Sequence, residues 1–434
     1  MRTLEEHKPP SFTGSNAFMP ACALISPREK SSNRPNDVSG WDWLRQRLSR
    51  ETSSGRLIPQ MDGLRFVAIG MVILFHLNGY LQAKSTLHHS GSMLQSDWLG
   101  QIALVGFRGV ELFFVISGFI LGLPFAAHHL KDAPRVSLRK YYLRRLTRLE
   151  PPYFLAASVL FVLALCVQQG AAAALYPHLV ASLFYLHNLI YGLPSPVIGV
   201  AWSLEIEVQF YVLVPLLTLL FAIRRPWLRR LSLVTTILGI LSAQSWLLPA
   251  RAPASLSILA YLQFFLIGFL LADVFLSDWK EAPQSAWYWD TVAVVGWPLL
   301  FIMLRSATLA HWLFPMLLFL LYCATFRGSW TSRIFSNPCI TIIGGMCYSI
   351  YLIHYEVISA VGRFTKGIAE GWPYWAYFAV QLALIGASIL LICGLYFVLL
   401  EKPCMRHNWP QRLWDHLQRV IDPRRRVAES AAAD

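Results

Sequence analysis

The stretch "MDGLRFVAIGMVILFHLNGY", residues 61–80, places two residues able to do chemistry inside an apolar run. Arg65 suits an anion, and His76 can exchange protons at neutral pH because an unperturbed imidazole titrates near pH 6.5. A charge in hydrocarbon costs on the order of 2.5–3.5 kcal/mol at a helix centre, so neither residue is casual there. Eleven positions separate them, which is close to three helical turns. The two side chains therefore share a face, roughly 16 Å apart along the axis. They are expected to line one cavity at different depths.

Four further stretches carry polar residues in apolar surroundings. "RGVELFFVISGFILGLPF" holds Glu111, an acid that needs a partner, and His76 at similar depth is the natural one. Its Ser117 and Gly118 read as small residues that let helices approach closely. "RKYYLRRLTRLEPPYFL" holds Arg144, Arg145 and Arg148. Arginines at a helix end are generally topology signals, but Arg145 and Arg148, three apart, share a helical face and suit a phosphate. "VAWSLEIEVQFYVLVPLL" begins with Trp202, suited to an interfacial belt, then Ser203, Glu205, Glu207 and Gln209. So acidic a start requires a water-filled cavity or a paired network. "CYSIYLIHYEV" contributes Tyr348, Ser349 and His354. A lone histidine near an interface is more often a satisfied structural residue, and His354 stands between that reading and substrate contact.

These residues must be positioned by membrane helices. The chain has 434 residues, of which 56% are hydrophobic in type and 14% charged, against about 25% charged in an ordinary soluble domain. The apolar residues fall in blocks of roughly 20, the length that crosses a bilayer core of about 30 Å. The fold class expected is all-α: a polytopic membrane protein with about ten transmembrane helices. The blocks lie at about 64–83, 103–125, 152–170, 200–222, 231–249, 257–277, 290–304, 309–326, 342–361 and 374–399. The short alternating segments of a membrane β-barrel are absent. The segment 174–193, broken by Pro177, His178, His187 and Asn188, reads as interfacial or re-entrant.

The net charge of +13 would suit nucleic acid, but most basic residues sit between or outside the apolar blocks. With both termini inside, 30 of the 37 Lys and Arg residues are cytoplasmic and five face out. That bias favours N-in, C-in and argues against an eleventh span. The seven cysteines form no CxxC and no metal-ligand spacing, so they read as packing residues. Residues 1–57, polar and rich in Ser, Pro and Asn, are expected to be a disordered cytoplasmic tail with a short helix at "GWDWLRQRLSRE". Residues 58–404 form the membrane domain, and 405–434 a basic cytoplasmic tail.

Taken together, "DGLRFVAIGMVILFH", "GVELFFVISGF", "RRLTRLEPPY", "AWSLEIEVQFYVLVPLL", "YSIYLIHYEV" and "YFVLLEKP" resemble acyltransferase family 3, the bacterial integral-membrane O-acyltransferases. Any one piece is weak, but six in family order are specific. The resemblance runs from about residue 59 to 405. It implies that His76 is the essential histidine, with Arg65 its partner in the motif and Glu111 at the family's acidic position. It also implies that Arg145 and Arg148 handle the acyl donor, and that the family's usual glutamate falls on Glu207. Glu205 departs from the pattern, where a small or polar residue is common. Trp202, Ser203, Glu207 and His354 join the two arginines as candidate substrate contacts. Some relatives carry a soluble esterase-like domain after the membrane part, and with about 30 residues beyond 405 none is expected here.

The resemblance implies an acyl-CoA donor, most often acetyl-CoA, no metal, a bacterial inner-membrane location, and a glycan, glycolipid or small-molecule hydroxyl as acceptor. In that scheme the donor phosphates bind Arg145 and Arg148, with Arg65 near them. His76, balanced by Glu111, deprotonates the acceptor hydroxyl, or forms an acyl-histidine. The alternative is a transporter or flippase with a proton-coupled polar pore. Such proteins often show an inverted repeat, and no second Arg-x10-His block is present.

Overall fold

A bilayer offers no hydrogen bonds to the backbone, so a chain this apolar must satisfy its own N–H and C=O groups within helices. The computed structural model describes residues 40–51, 57–84, 98–167, 172–247, 253–303, 307–406, 409–412, 414 and 418. Among these residues every regular element is a helix. Most of both expected tails lies outside the described residues.

In chain order the helices are α1 (Gly40–Leu48), α2 (Pro59–Lys84), α3 (Trp98–Lys131, with a 3-10 turn at Gly106–Arg108), α4 (Leu138–Val167), α5 (Ala172–Leu183) and α6 (His187–Tyr191). There follow α7 (Gly199–Ala222), α8 (Pro226–Leu247), α9 (Ile258–Ser277), α10 (Trp287–Met303), α11 (Ala307–Arg327) and α12 (Ser329–Phe335). The last are α13 (Pro338–Gly345), α14 (Cys347–Thr365) and α15 (Tyr374–Cys404).

The described parts of all ten apolar blocks lie on helices, but among the described residues seven helices are long and apolar enough to cross a bilayer: α2, α3, α4, α7, α9, α11 and α15. The pair α13 and α14, bent by 73°, makes an eighth if it is one broken span. The other two expected crossings fall short for local reasons. Ser, Thr and Gln dilute α8, which also starts with Arg229 and Arg230, and α10 has only 17 residues. Helix α5 has 12 residues, about 18 Å at 1.5 Å per residue, too short to cross and in keeping with an interfacial or re-entrant piece.

The centre of the bundle is the pairing of α3 with α9. A Cβ on Gly118 would fall on the Phe265 carbonyl, and one on Gly268 on the Val115 carbonyl and the Phe119 amide. Two glycines facing across the contact let the backbones meet, the usual route to tight packing where lipid supplies no hydrophobic drive between helices. Phe265, stacked on Phe210 of α7 and Phe114 of α3, ties a third helix to the pair.

Helix α2 packs on the other side of α3 and against α13 and α14. Gly344, near the end of α13, lies directly on the Asp62 carbonyl of α2. Helix α14 therefore starts at a break beside α2, with its first turn facing inward. Near the other end of α15, residues Phe397–Glu401 form a π-turn, a local irregularity that re-aims a side chain. Here that side chain is Glu401.

Helix α1 lies against the other chain end. Lys402 Nζ donates to the Gln46 and Arg47 carbonyls at 2.6 and 2.8 Å, capping the last turn of α1. Arg406 pairs with Glu51 at 3.2 Å.

The glycine contact gives a direct test. Gly268→Val places two methyl groups against the α3 backbone. Overpacking of this kind costs about 1–3 kcal/mol or more, so a clear fall in Tm of the detergent-solubilised protein is expected. A Val variant with an unchanged Tm would show that the helices do not meet there.

Candidate active site

Two cavities hold the polar residues. The first, of about 620 Å³, opens beside the starts of α2 and α4. The second, of about 610 Å³, lies toward the far end of α2 and the end of α14. Arg65 lines the first and His76 the second. The expected single cavity holding both residues is thus two, because side chains of α14 fill the space between.

The first cavity is basic. Arg50, Arg65, Arg144, Arg145 and Arg148 all line it. Asp62, in the first turn of α2 where a carboxylate also meets the helix dipole, accepts from Arg65 and, at 3.1 Å, from Arg50. One carboxylate thus faces two guanidinium groups, and burial together with Arg65 pulls the Arg50 pKa down to about 10. Arg145 and Arg148 share one face of α4, as their spacing predicted. Among the described residues the buried Nε atoms of Arg50, Arg145 and Arg148 have no hydrogen-bond partner. Buried donors left open in this way are rare in native proteins, and three at one cavity mark where an anion fits.

The inner end of this cavity is polar but neutralised within itself. Ser117 donates to Glu207, linking α3 to α7. Tyr351 donates to the Val200 carbonyl at 2.7 Å, which uses its one proton. Ser203, 2.6 Å from the same phenol, must then be the donor to it. Glu401, carried by the π-turn, accepts from the Ser349 amide at 3.1 Å and its hydroxyl at 2.5 Å. A carboxylate in that position caps the start of α14.

The second cavity is built around His76. Its ring lies 5.1 Å from His354, 5.2 Å from Tyr355 and 5.1 Å from Phe75, centroid to centroid. His354 is fully buried. Its Nδ1 lies 3.0 and 2.9 Å from the Ile350 and Tyr351 carbonyls. Carbonyls only accept, so Nδ1 carries the proton and Nε2 is a bare acceptor, with no partner among the described residues. The Tyr351 ring lies 6.0 Å from His354 and lines the first cavity. Tyr351 and His354 are therefore the wall between the cavities.

Other candidates stand apart. Glu111 pairs with Arg108 at 2.6 Å rather than with His76, because a residue three back on the same helix reaches it more directly. It lines neither cavity. Trp202 is half-buried at 5.7 Å from the Tyr261 ring and also lines neither. Glu205 is buried and accepts from the Asn188 amide at 2.7 Å, closing the turn between α6 and α7. Among the described residues no three His, Cys, Asp or Glu side chains converge as a metal site requires.

The acyltransferase 3 family model, described as an acyltransferase domain, matches residues 58–397. The chain belongs to this family. A Staphylococcus aureus (strain COL) protein named as a putative O-acetyltransferase is 26% identical over 366 residues, 77% of this chain and 56% of its own length. The peptidoglycan O-acetyltransferase OatA of Listeria monocytogenes is 28% identical over 338 residues, 70% of this chain and 50% of its own. The O-acetyltransferase OatA of S. aureus strain NCTC 8325 is 25% identical over 336 residues, 72% and 52% of the two chains. The chain spans about half the length of the curated relatives it matches. No solved structure matches it.

In this family member, Arg50 and Glu401 lie outside the matched residues yet line the basic cavity. Sequence reasoning had no role for either, nor for Asp62 or Tyr351. The signals were present: Asp62 is three residues before Arg65, Tyr351 three before His354, and Glu401 ends an apolar run.

Asp62 carries the charge balance of this acyltransferase-family cavity. Asp62→Ala leaves two buried guanidinium groups without their counter-charge, at a cost of about 3–5 kcal/mol. A large loss of thermal stability in detergent is expected. A variant as stable as the parent would mean that the two arginines find other partners.

Proposed function

We propose that this chain is an integral-membrane O-acyltransferase with both termini in the cytoplasm. It moves an acyl group, acetyl in the simplest case, from cytoplasmic acyl-CoA to a hydroxyl of an extracytoplasmic or membrane-linked glycan. The observation that carries this reading is the meeting of a basic cavity and a histidine-lined cavity at the wall formed by Tyr351 and His354. The charge bias sets the basic cavity on the cytoplasmic side, and the names of the relatives support O-acetylation of a cell-wall glycan.

In this scheme the donor's phosphates sit among Arg50, Arg145 and Arg148, with Arg65 held by Asp62 beside them. Guanidinium groups with open N–H donors suit phosphate oxygens in forked pairs. The pantetheine arm runs inward toward Tyr351 and brings the thioester to the wall, and the Tyr351 and His354 side chains must part for it to meet the acceptor hydroxyl at His76. His76 takes the hydroxyl proton as the oxygen attacks the thioester carbonyl. The carbon–sulfur bond breaks, and the proton passes from His76 to the departing thiolate. His354, buried at the same wall and lining neither cavity, packs its ring 5.1 Å from His76 and helps to position it. Glu207, bonded to Ser117 at the inner end of the basic cavity, borders the path of the arm.

His76→Ala is expected to abolish transfer from labelled acetyl-CoA in membranes while the amount of inserted protein stays the same. Activity in that variant overturns the proposal. Arg145→Ala with Arg148→Ala removes two hydrogen-bonding partners of a charged ligand, worth about 1.5–3 kcal/mol each. KM for acetyl-CoA should therefore rise at least about tenfold. If CoA binding is unchanged, those arginines act only as topology signals.

A further inference from the structure

Cations are depleted on the outer face of membrane proteins. In the ten-crossing topology read from the sequence, with both termini inside, only five of the 37 Lys and Arg residues face out. Three of those five, Lys84, Arg363 and Lys366, line the cavity that holds His76. The other two, Arg251 and Arg305, lie outside the described residues. Among the described residues no carboxylate lines this cavity, and none of the three cations forms an ion pair. Three like charges at one opening repel each other, so the arrangement is most stable when a ligand supplies the counter-charge.

The cluster is held by buried structure. Gln381 donates from Nε2 to the Thr365 and Ile368 carbonyls at 2.8 and 3.0 Å, and its Oε1 accepts from the Thr365 hydroxyl at 2.8 Å. Tyr377 donates to the Lys366 carbonyl at 2.8 Å. Both Gln381 and Tyr377 are fully buried. Lys366 Nζ reaches the Lys84 carbonyl at 3.4 Å, joining the ends of α14 and α2. The backbone that presents Lys366 is thus fixed before any ligand arrives, which lowers the ordering cost of binding. A neutral sugar needs hydrogen-bonding groups and apolar faces. His76, Tyr80, Ser359, Phe75 and Tyr355 already supply these, and the three cations are surplus to that need.

We propose that the acceptor is an anionic glycan, whose carboxylate or phosphate is held by Lys84, Arg363 and Lys366 while a neighbouring hydroxyl meets His76. This rests on the O-acyltransferase reading and adds the acceptor's chemical class.

The test uses the full chain in membranes of the cells that make it, with labelled acetyl-CoA and a His76→Ala control. Lipids are extracted, and the released envelope glycans are separated by anion exchange into neutral and anionic pools. His76-dependent label is expected in the anionic glycan pool. Label in the neutral pool or in extracted lipid overturns the acceptor class and leaves the acyltransferase reading standing. If no pool carries His76-dependent label, the acyltransferase reading itself fails. Arg363→Glu with Lys366→Glu should raise KM for the purified anionic glycan on the order of tenfold, with Arg363→Lys close to the parent. An unchanged KM in the charge-reversed protein, present in membranes at the parent's level, also overturns the proposal.

Discussion

A charge taken out of water must be met by another charge, by hydrogen bonds or by a cavity that readmits water. The arrangement of helices in this protein follows from that demand. Asp62 draws together Arg65 of α2 and Arg50 from the segment before it. Asp273 of α9 does the same for Arg229 and Arg230 of α8, with Arg229 Nε at 2.6 Å. Arg108 answers Glu111 within α3. At Arg50, Arg145 and Arg148 Nε donors stay open among the described residues, and all three line the basic cavity.

The irregular backbone follows the same logic. Broken helices are tolerated at membrane depth only where they line a cavity or are buried in protein. The 73° break before α14 and the π-turn at Phe397–Glu401 both border the basic cavity. The break lets α14 begin inside the bundle with its first turn toward Glu401. The same helix then carries Tyr351 and His354 to the wall between the cavities and ends at the second cavity. One broken helix therefore borders the basic cavity, the wall and the histidine-lined cavity in turn.

The two cavities differ in a way that suits transfer across a membrane. One is rich in guanidinium groups with open donors. The other combines an imidazole, aromatic faces and three cations. Histidine tautomers are set by their fixed partner, and at His354 two backbone carbonyls hold that choice. The wall thus holds a buried imidazole whose Nε2 has no partner among the described residues.

Much of this was legible along single helices. Block length and composition imply membrane helices, and the i, i+3 and i, i+11 spacings put Arg145 with Arg148 and order Arg65 and His76 by depth. The family motifs named the histidine and the arginine pair. What the chain order could not reveal was which residues meet across helices. The partner of Glu111 is Arg108 and not His76, Arg65 and His76 open into different cavities, and Arg50 reaches the basic cavity from outside the motifs while Glu401, within the last of them, is turned into it by the π-turn. The reason is geometric. Helical periodicity determines the depth and face of each residue on its own helix, because rise and turn per residue are constant. Its neighbours depend on how helices hundreds of positions apart are bent, broken and pressed together at glycines, and those contacts exist only in the folded protein.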